Sequence, residues 1–404
     1  MVLSWLSVDA RTGVILADLP GLAVPTVKRS ICRYEPATAA LPLPTAPENW
    51  MLATRHGGAN LILLSDGVPI WGGMVTQRPR SSGDVLPLSL ATVESYLDRR
   101  FVGDVTYTGV GQNAIVADLI ARYVAVGPHG GIPIRVQYAT VGAGQVRDRT
   151  YTDASDKTVY SALTELAAVD GGPEWTIEWE WQHNPERITP VLYVGDRIGR
   201  AATPGLAPAA TFEMPGCVIE ATLVEDYSSG KAANSVIAVS TATADVRPQS
   251  PVQVPATDDG RPTFETRFTP STSITLVDTL TSHAQSALAY LAPGGMALSM
   301  SAAVEKAPAL GVDWVLGDDI GYKIGGLEPD RRTRVVDVYA DQFVDVWVDQ
   351  FFPIGTATVL LNPDGRDSVP AFPGGLVGTD RCVGWELTLD GVQTVTPILA
   401  STGA

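Results

Sequence analysis

The chain has 404 residues, 45% hydrophobic and only 18% charged, long enough for two to four domains with cores of their own. It carries 28 Lys and Arg against 44 Asp and Glu, a net charge of −16, which argues against a nucleic-acid grip because phosphate neutralisation needs clustered cations. Cys32, Cys217 and Cys382 are too few and too far apart for a disulfide framework, and with no basic-then-apolar leader and no apolar run of about 18 residues, folding in a cytoplasm without a membrane span is expected.

Residues 1–100 read as β-structure. Leu3–Val8 and Val14–Asp18 flank Arg11-Thr12-Gly13 as a hairpin, and Val27–Arg33 alternates weakly. The Pro- and Ala-rich segment Pro36–Asn49 reads as a loop crossing a sheet edge. From Leu61 an apolar strand meets a turn at Asp66-Gly67, and a second strand passes through Ile70 and Trp71 to Gly72 and Gly73. A third, Val85–Leu90, runs straight into a short helix, Thr92–Arg100. None of these residues is chemically reactive.

Residues 101–205 change character. Val105–Thr108 predicts a strand, then Gln112–Ala125 a helix with Ile115, Leu119, Ile120 and Tyr123 on one face. Ile132–Tyr138 is a strand, and Asp153 or Ser155 caps a helix through Val169 with Val159, Leu163 and Leu166 inward. Asp170-Gly171-Gly172 stops it. Glu174–Trp181 alternates, with Trp175, Ile177, Trp179 and Trp181 on one face and the glutamates on the other, and pairs with Ile188–Val194. The Ala- and Pro-rich stretch Ala201–Ala210 is the best linker.

β-character returns in residues 206–345: Val218–Tyr227, Ser235–Ser240, Arg267–Phe268, Met296–Val304, Gly317–Ile324 and Arg332–Tyr339, with one helix, Leu276–Leu291. In residues 346–404, a β extension, Val344–Phe352 and Ala357–Leu361 make a pair, Asn362–Gly375 is a turn-rich break, and Gly384–Leu389 and Val392–Ile398 turn at Asp390-Gly391. The fold class is mainly β with an α/β insertion.

A search for chemistry leaves little. His56, His129, His183 and His283 stand alone, without metal-ligand spacing. Gly109, Gly111 and Ala114 sit where a dinucleotide fingerprint would, but no ribose-binding carboxylate and no further βαβ series follow, so a turn is the better reading. Glu178 and Glu180 share a strand face, as glycosidase carboxylates could, but alternation puts Trp179 and Trp181 opposite them. Asp318-Asp319 and Asp364-Gly365-Arg366-Asp367 are incomplete calcium loops. No catalytic, cofactor-binding or metal residue is assigned, and no enzyme activity is expected.

The order of these features is more telling than any one of them: the hairpin at Asp9–Gly13, then Asp66-Gly67-Val68-Pro69-Ile70-Trp71-Gly72-Gly73, the run ending Tyr96-Leu97-Asp98-Arg99-Arg100, Gly109–Tyr123, Asp170–Trp181, Ala233-Asn234-Ser235-Val236 and Leu316-Gly317-Asp318-Asp319-Ile320. This series resembles the minor tail proteins, or tail-tip hub proteins, of long-tailed (siphovirus-type) phages of actinobacterial hosts, which are related to the central hubs of contractile baseplates. The resemblance covers residues 1–350. It implies two tail-tube-like β-barrel domains, 1–100 and 206–345, with an α/β insertion domain at 101–205; the C-terminal β extension at 346–404 lies beyond the resemblance. It further implies a homotrimer at the distal tail tip of a virion assembled in the bacterial host cytoplasm, closing the tail tube, adapting its symmetry to the tip and letting phage DNA pass through the lumen without specific binding. The implied partners are the distal tail protein, the tape measure protein and tail fibre or receptor-binding components. In such a scaffold Trp71 is a packing residue. The rival reading, resting on the Trp- and Glu-rich strand Glu174–Trp181, is a carbohydrate-binding or carbohydrate-active β-sandwich protein.

Overall fold

The computed structural model describes residues 2–139, 144–169, 171–203, 205–240, 247–270, 276–325, 333–339, 353–360, 371–372 and 375–400. The chain divides into two compact units, Met1–Glu220 with Ser301–Ile398, and Ala221–Met300 with Leu399–Ala404.

The first unit opens with β1 (Leu3–Asp9), β2 (Ile15–Asp18), β3 (Thr26–Ser30), β4 (Pro36–Pro42), the short helix α1 (Trp50–Ala53), β5 (Ala59–Ser65), β6 (Val68–Gln77) and β7 (Val85–Thr92), which leads into a 3₁₀ helix, Val93–Arg99. Asp66 and Gly67 both have positive φ, 47° and 84°, the backbone of the tight turn that suits the twist of the β5–β6 hairpin. The strands form a six-stranded sheet in the order β2-β1-β5-β6-β7-β4. Its two edges are joined by one short piece of chain: five residues beyond the end of β2, Ala23 exchanges two backbone hydrogen bonds, 2.9 and 2.8 Å, with Ala40 of β4. Five residues reach at most about 17 Å, whereas the edges of a flat six-stranded sheet lie about 24 Å apart. The sheet therefore curls towards a barrel.

One expectation is corrected here. The segment read as a loop from Pro36 holds β4, paired with β7 from Pro36↔Ala91 to Pro42↔Val85. Ala37, Ala39 and Leu41 alternate into the interior, and the prolines are tolerated because they stand at the two ends of an edge strand.

Next come β8 (Val105–Gly111), α2 (Gln112–Leu119), a π-helical turn at Ile120–Val124, β9 (Arg135–Tyr138), β10 (Val146–Tyr151), α3 (Val159–Ala167), β11 (Glu174–His183) and β12 (Glu186–Gly195). β11 pairs antiparallel with β12 and β9 lies parallel to β12, at the edge of this sheet. The α3 cap is Thr158, whose hydroxyl accepts the Ser161 N–H at 3.1 Å. Asp153–Ser155 instead forms a separate 3₁₀ turn, ended by Asp156 in the left-handed region. A single apolar cluster joins Val8 and Ile62 of the curled sheet, Val93 and Leu97 of the 3₁₀ helix, Ile115 and Leu119 of α2, Leu163 and Leu166 of α3, and Trp175, Ile177 and Trp179 of β11.

The remaining elements are β13 (Thr211–Met214), β14 (Val218–Asp226), β15 (Ser235–Ala238), β16 (Glu265–Phe268), α4 (Val277–Leu291), β17 (Gly295–Ala303), β18 (Asp319–Ile324), β19 (Thr333–Tyr339), β20 (Pro353–Leu360), β21 (Leu376–Thr388) and β22 (Thr394–Leu399). The chain leaves the first unit within β14 and returns within β17. In the second unit β15 and β16 pair in parallel, and α4 turns Leu280 and Ala284 onto Ala233, Val236 and Ala238. Leu276, expected as the first residue of this helix, precedes it and is exposed. β19 pairs with β20; the expected strand Val344–Phe352 and nearly all of the break Asn362–Gly375 lie outside the described residues.

In the second sheet β13 pairs with β18 and β18 with β21, and β3, from the start of the chain, pairs with the far half of β21, Ser30↔Gly384 to Thr26↔Thr388. One N-terminal strand is thus shared out to a sheet built from the C-terminal part.

Candidate functional site

Two glycines set the packing behind the site. The Trp71 side chain is fully buried, its Nε1 donates to the Lys28 carbonyl at 2.9 Å, and its ring meets Trp5 edge-on at 5.9 Å, so it packs as expected. A Cβ on Gly73 would stand 2.4 Å from the Trp71 ring, and one on Gly72 would stand 2.2 Å from Trp179 Nε1 and 2.7 Å from Ile62 Cδ1. Trp179 is itself buried, in the apolar cluster. Gly72→Ala is therefore expected to lose about 1–3 kcal/mol by overpacking, read as a lower urea midpoint at unchanged slope.

β11 presents two faces, as its alternation predicts. Trp175, Ile177 and Trp179 are buried in the apolar cluster, and Trp181 is half-buried with Nε1 donating to the Gly67 carbonyl at 2.8 Å. No row of indoles is open to stack on a sugar, which removes the observation behind the carbohydrate reading. The opposite, glutamate-bearing face is not simply solvated. Glu174 and Glu178 point at cations brought by β21 and β3.

Arg29, on β3, is 4% exposed. Its Nη1 donates to Glu178, and its Nη2 donates to Thr176 Oγ1 at 2.8 Å and to the Ile177 carbonyl. Glu94, on the 3₁₀ helix after β7, is 3% exposed; its Oε1 accepts the Ile177 N–H at 3.2 Å and lies 3.9 Å from Arg29 Nη2. Its Oε2 is buried with no hydrogen-bond partner among the described residues. Two carboxylates thus share one guanidinium where the curled sheet, β11 and the second sheet come together. Burial works against the Arg29 charge, but Glu178 and Glu94 outweigh it and hold the group protonated.

Burial raises the Glu94 pKa, with Arg29 pulling it the other way. Because the folded value lies above the unfolded one of about 4.3, Glu94's contribution to stability is complete below that unfolded value and is lost as pH rises through the folded one. Glu94→Gln is expected to flatten this part of the pH–stability curve, and urea melts from pH 4 upward check it; an unchanged slope would show that Glu94 is ionised throughout.

Further ion pairs lie beside this junction. Arg381 of β21 makes a two-pronged contact with Glu174, Arg197 bonds Asp319, and Asp318, fully buried, takes Arg200 Nη2 at 2.7 Å and the Arg200 N–H at 2.6 Å. Asp319, which also accepts the Ala202 N–H at 2.7 Å, is held below the usual carboxylate range by that bond and Arg197, against the opposing effect of its burial. The incomplete calcium loop at Asp318-Asp319 is therefore an anchor for the chain at 200–202.

Next to Arg29 opens a cleft of about 460 Å³, whose lining includes Glu178, Tyr138, Tyr193, Val315, Leu316 and Trp385. No residue of this site was distinguished by local sequence pattern except Glu178, whose partner is 149 positions away.

The other sequence candidates do not converge. Gly109 has φ 63° and β8 runs directly into α2, but β8 pairs antiparallel with β10, which is not the parallel unit that a dinucleotide site requires. All four histidines are exposed, His183 stacking on Trp181 at 6.4 Å. Among the described residues no three His, Cys, Asp or Glu side chains are grouped to hold a metal ion, and no helix is long and apolar enough to cross a membrane. Cys217 and Cys382 are buried, Cys32 is half-buried, and burial pushes the Cys32 and Cys382 thiols up to about 12. Asp364–Asp367 lies outside the described residues.

No protein-family profile and no curated protein matches the sequence. Solved structures do match. A tail protein from Neisseria meningitidis MC58 is similar at a TM-score of 0.52 and 12% identity, covering 98% of this chain and 96% of that one. The 43 kDa tail protein of prophage MuSo2 from Shewanella oneidensis is similar at 0.52 and 9% identity, covering 99% and 98%. The chain has a tail-protein fold. The likeness runs along nearly the whole of both chains.

Proposed function

We propose that the chain is a structural tail protein, a homotrimeric hub at the distal tip of a phage tail. The observation that carries this reading is the end-to-end likeness to two solved tail proteins, one of a prophage. In this reading the parts 1–100 and 206–345 descend from tail-tube-like barrels, 101–205 is the inserted α/β part and 346–404 the extension. They are interleaved, since β3 pairs with β21. Three copies with two tube-like parts each offer six similar surfaces to a sixfold tube. The hub closes the tube, adapts its symmetry to the tip and opens for DNA, and it does so by geometry without covalent chemistry. A net charge of −16 lets DNA pass without sticking. The distal tail protein, the tape measure protein and fibre or receptor-binding components are its neighbours, in a virion assembled in the bacterial host cytoplasm.

Light scattering on the purified protein and electron microscopy of tagged tail particles test this. A trimer, with label at one tip of each tail, is the expected result. A stable monomer that never enters tail particles would sink the proposal.

A further inference from the structure

We infer that the cleft beside Arg29 is a docking site for a lysine or arginine side chain presented by a partner protein. This goes beyond a tail-hub role and stands independently of it.

The charge balance at the cleft sets the sign of the ligand. With Glu94 ionised, Glu94 and Glu178 share Arg29 alone, which leaves one negative charge in excess. The other charged groups nearby cancel: Arg200 is paired with Asp318, and Glu180 with Arg135 while also accepting from the Tyr193 hydroxyl. Arg29 already commits three of its five N–H donors to Glu178, Thr176 and the Ile177 carbonyl, and its charge is opposed by two carboxylates, so it offers an anion little. Glu178 Oε2 takes the Arg29 bond, and its side chain is 30% exposed in the cleft wall, leaving Oε1 for an incoming donor. A purely apolar ligand would bury Oε1 without a partner, which is unfavourable.

The walls set the ligand's shape. Ile70, Leu316, Val315 and Trp385 offer apolar surface for an aliphatic stem, and Tyr138 offers an aromatic ring at the mouth. Long basic side chains bury such stems while their heads seek charge, and a ring near the head adds cation–π attraction. The cleft of about 460 Å³ has room for the whole side chain and some adjoining backbone. Polypeptide, not a free amine, is favoured by the strand beside it: Gln137 and Tyr138 line the cleft from β9, the edge of its sheet, where an extended segment can add main-chain hydrogen bonds. The acidic chain as a whole favours a basic partner.

The test titrates the full chain, followed by amide NMR, with the peptide Ala-Ala-Arg-Ala-Ala and its neutral citrulline isostere. The arginine peptide is expected to bind at least tenfold more tightly and to shift amides of β9 and of residues 310–316. Glu178→Gln should bring the two peptides to equal affinity. Tyr138→Ala, at a 49% exposed position that folding tolerates, should weaken the arginine peptide several-fold. Equal binding of the two peptides to the unaltered protein, binding of neither, or an arginine preference that survives Glu178→Gln in a folded protein would overturn the assignment. If that variant does not fold, an arginine affinity unmoved by Tyr138→Ala overturns it instead.

Discussion

Arg29→Met is expected to lower the unfolding free energy by about 3–5 kcal/mol, the usual loss when one member of a buried ionic group is removed and its partners stay behind. Here the partners are two carboxylates, Glu94 at 3% exposure and Glu178, and the Thr176 hydroxyl and Ile177 carbonyl lose a donor as well. Methionine fills much of the volume, so the loss reports charge and hydrogen bonding more than a cavity. Adding Glu94→Gln and Glu178→Gln to Arg29→Met should recover a good part of it, because neutral amides no longer repel. Urea denaturation of the three proteins, unaltered, single and triple variant, decides the matter. A loss below about 1 kcal/mol for Arg29→Met would mean that water or protonation already compensates both carboxylates.

Trp71→Ala should cost a similar amount, about 3–5 kcal/mol, for a different reason. The side chain is fully buried, it touches Trp5 edge-on, and its ring lies over Gly73. Glycines occupy positions 72 and 73 because two indoles already fill the space that side chains would need, so the β-sheet backbone cannot close the void easily. Trp71→Phe keeps most of the apolar area and loses the bond to the Lys28 carbonyl, so it should cost less, about 1–3 kcal/mol. Denaturant midpoints for the two variants test the ranking. Equal losses would assign the whole effect to the hydrogen bond.

Local pattern carried a good deal of this fold. The β1–β2 hairpin, the Asp66-Gly67 turn, the alternation of β11 and the inward face of α3 all follow from periods of two or 3.6 and from turn residues. It failed where the deciding partner is remote. β4 was hidden because its prolines resemble a loop until β7 is known to pair with it. β10 and β13 are short and weakly apolar, and pairing rather than propensity makes them strands. The candidate site was hardly legible at all. The glutamates of β11 look like a solvent face, and nothing near Thr26–Ser30 signals that Arg29 will meet them from 149 positions away. Nor could the sequence of β11 show that its tryptophans face an interior rather than a groove. Both ambiguities concern which surface covers which, a property of the assembled chain rather than of any window in it.

The pairing of β3 with β21 has a consequence for how the protein is made. Ser30 leaves the ribosome long before Gly384, its ladder partner. At about 5–20 residues per second, the nascent strand waits roughly 20–70 s for its mate. Throughout that interval β3 is an open strand in a crowded cell, liable to pair with another nascent copy. Lys28 and Arg29 lie side by side on it, and charge on an unpaired strand discourages such pairing. Arg29 has Glu94 and Glu178 as partners once β11 has been made, and when β21 arrives Lys28 finds Glu386. The cations that guard the early strand against its siblings are the ones that later lock it in place.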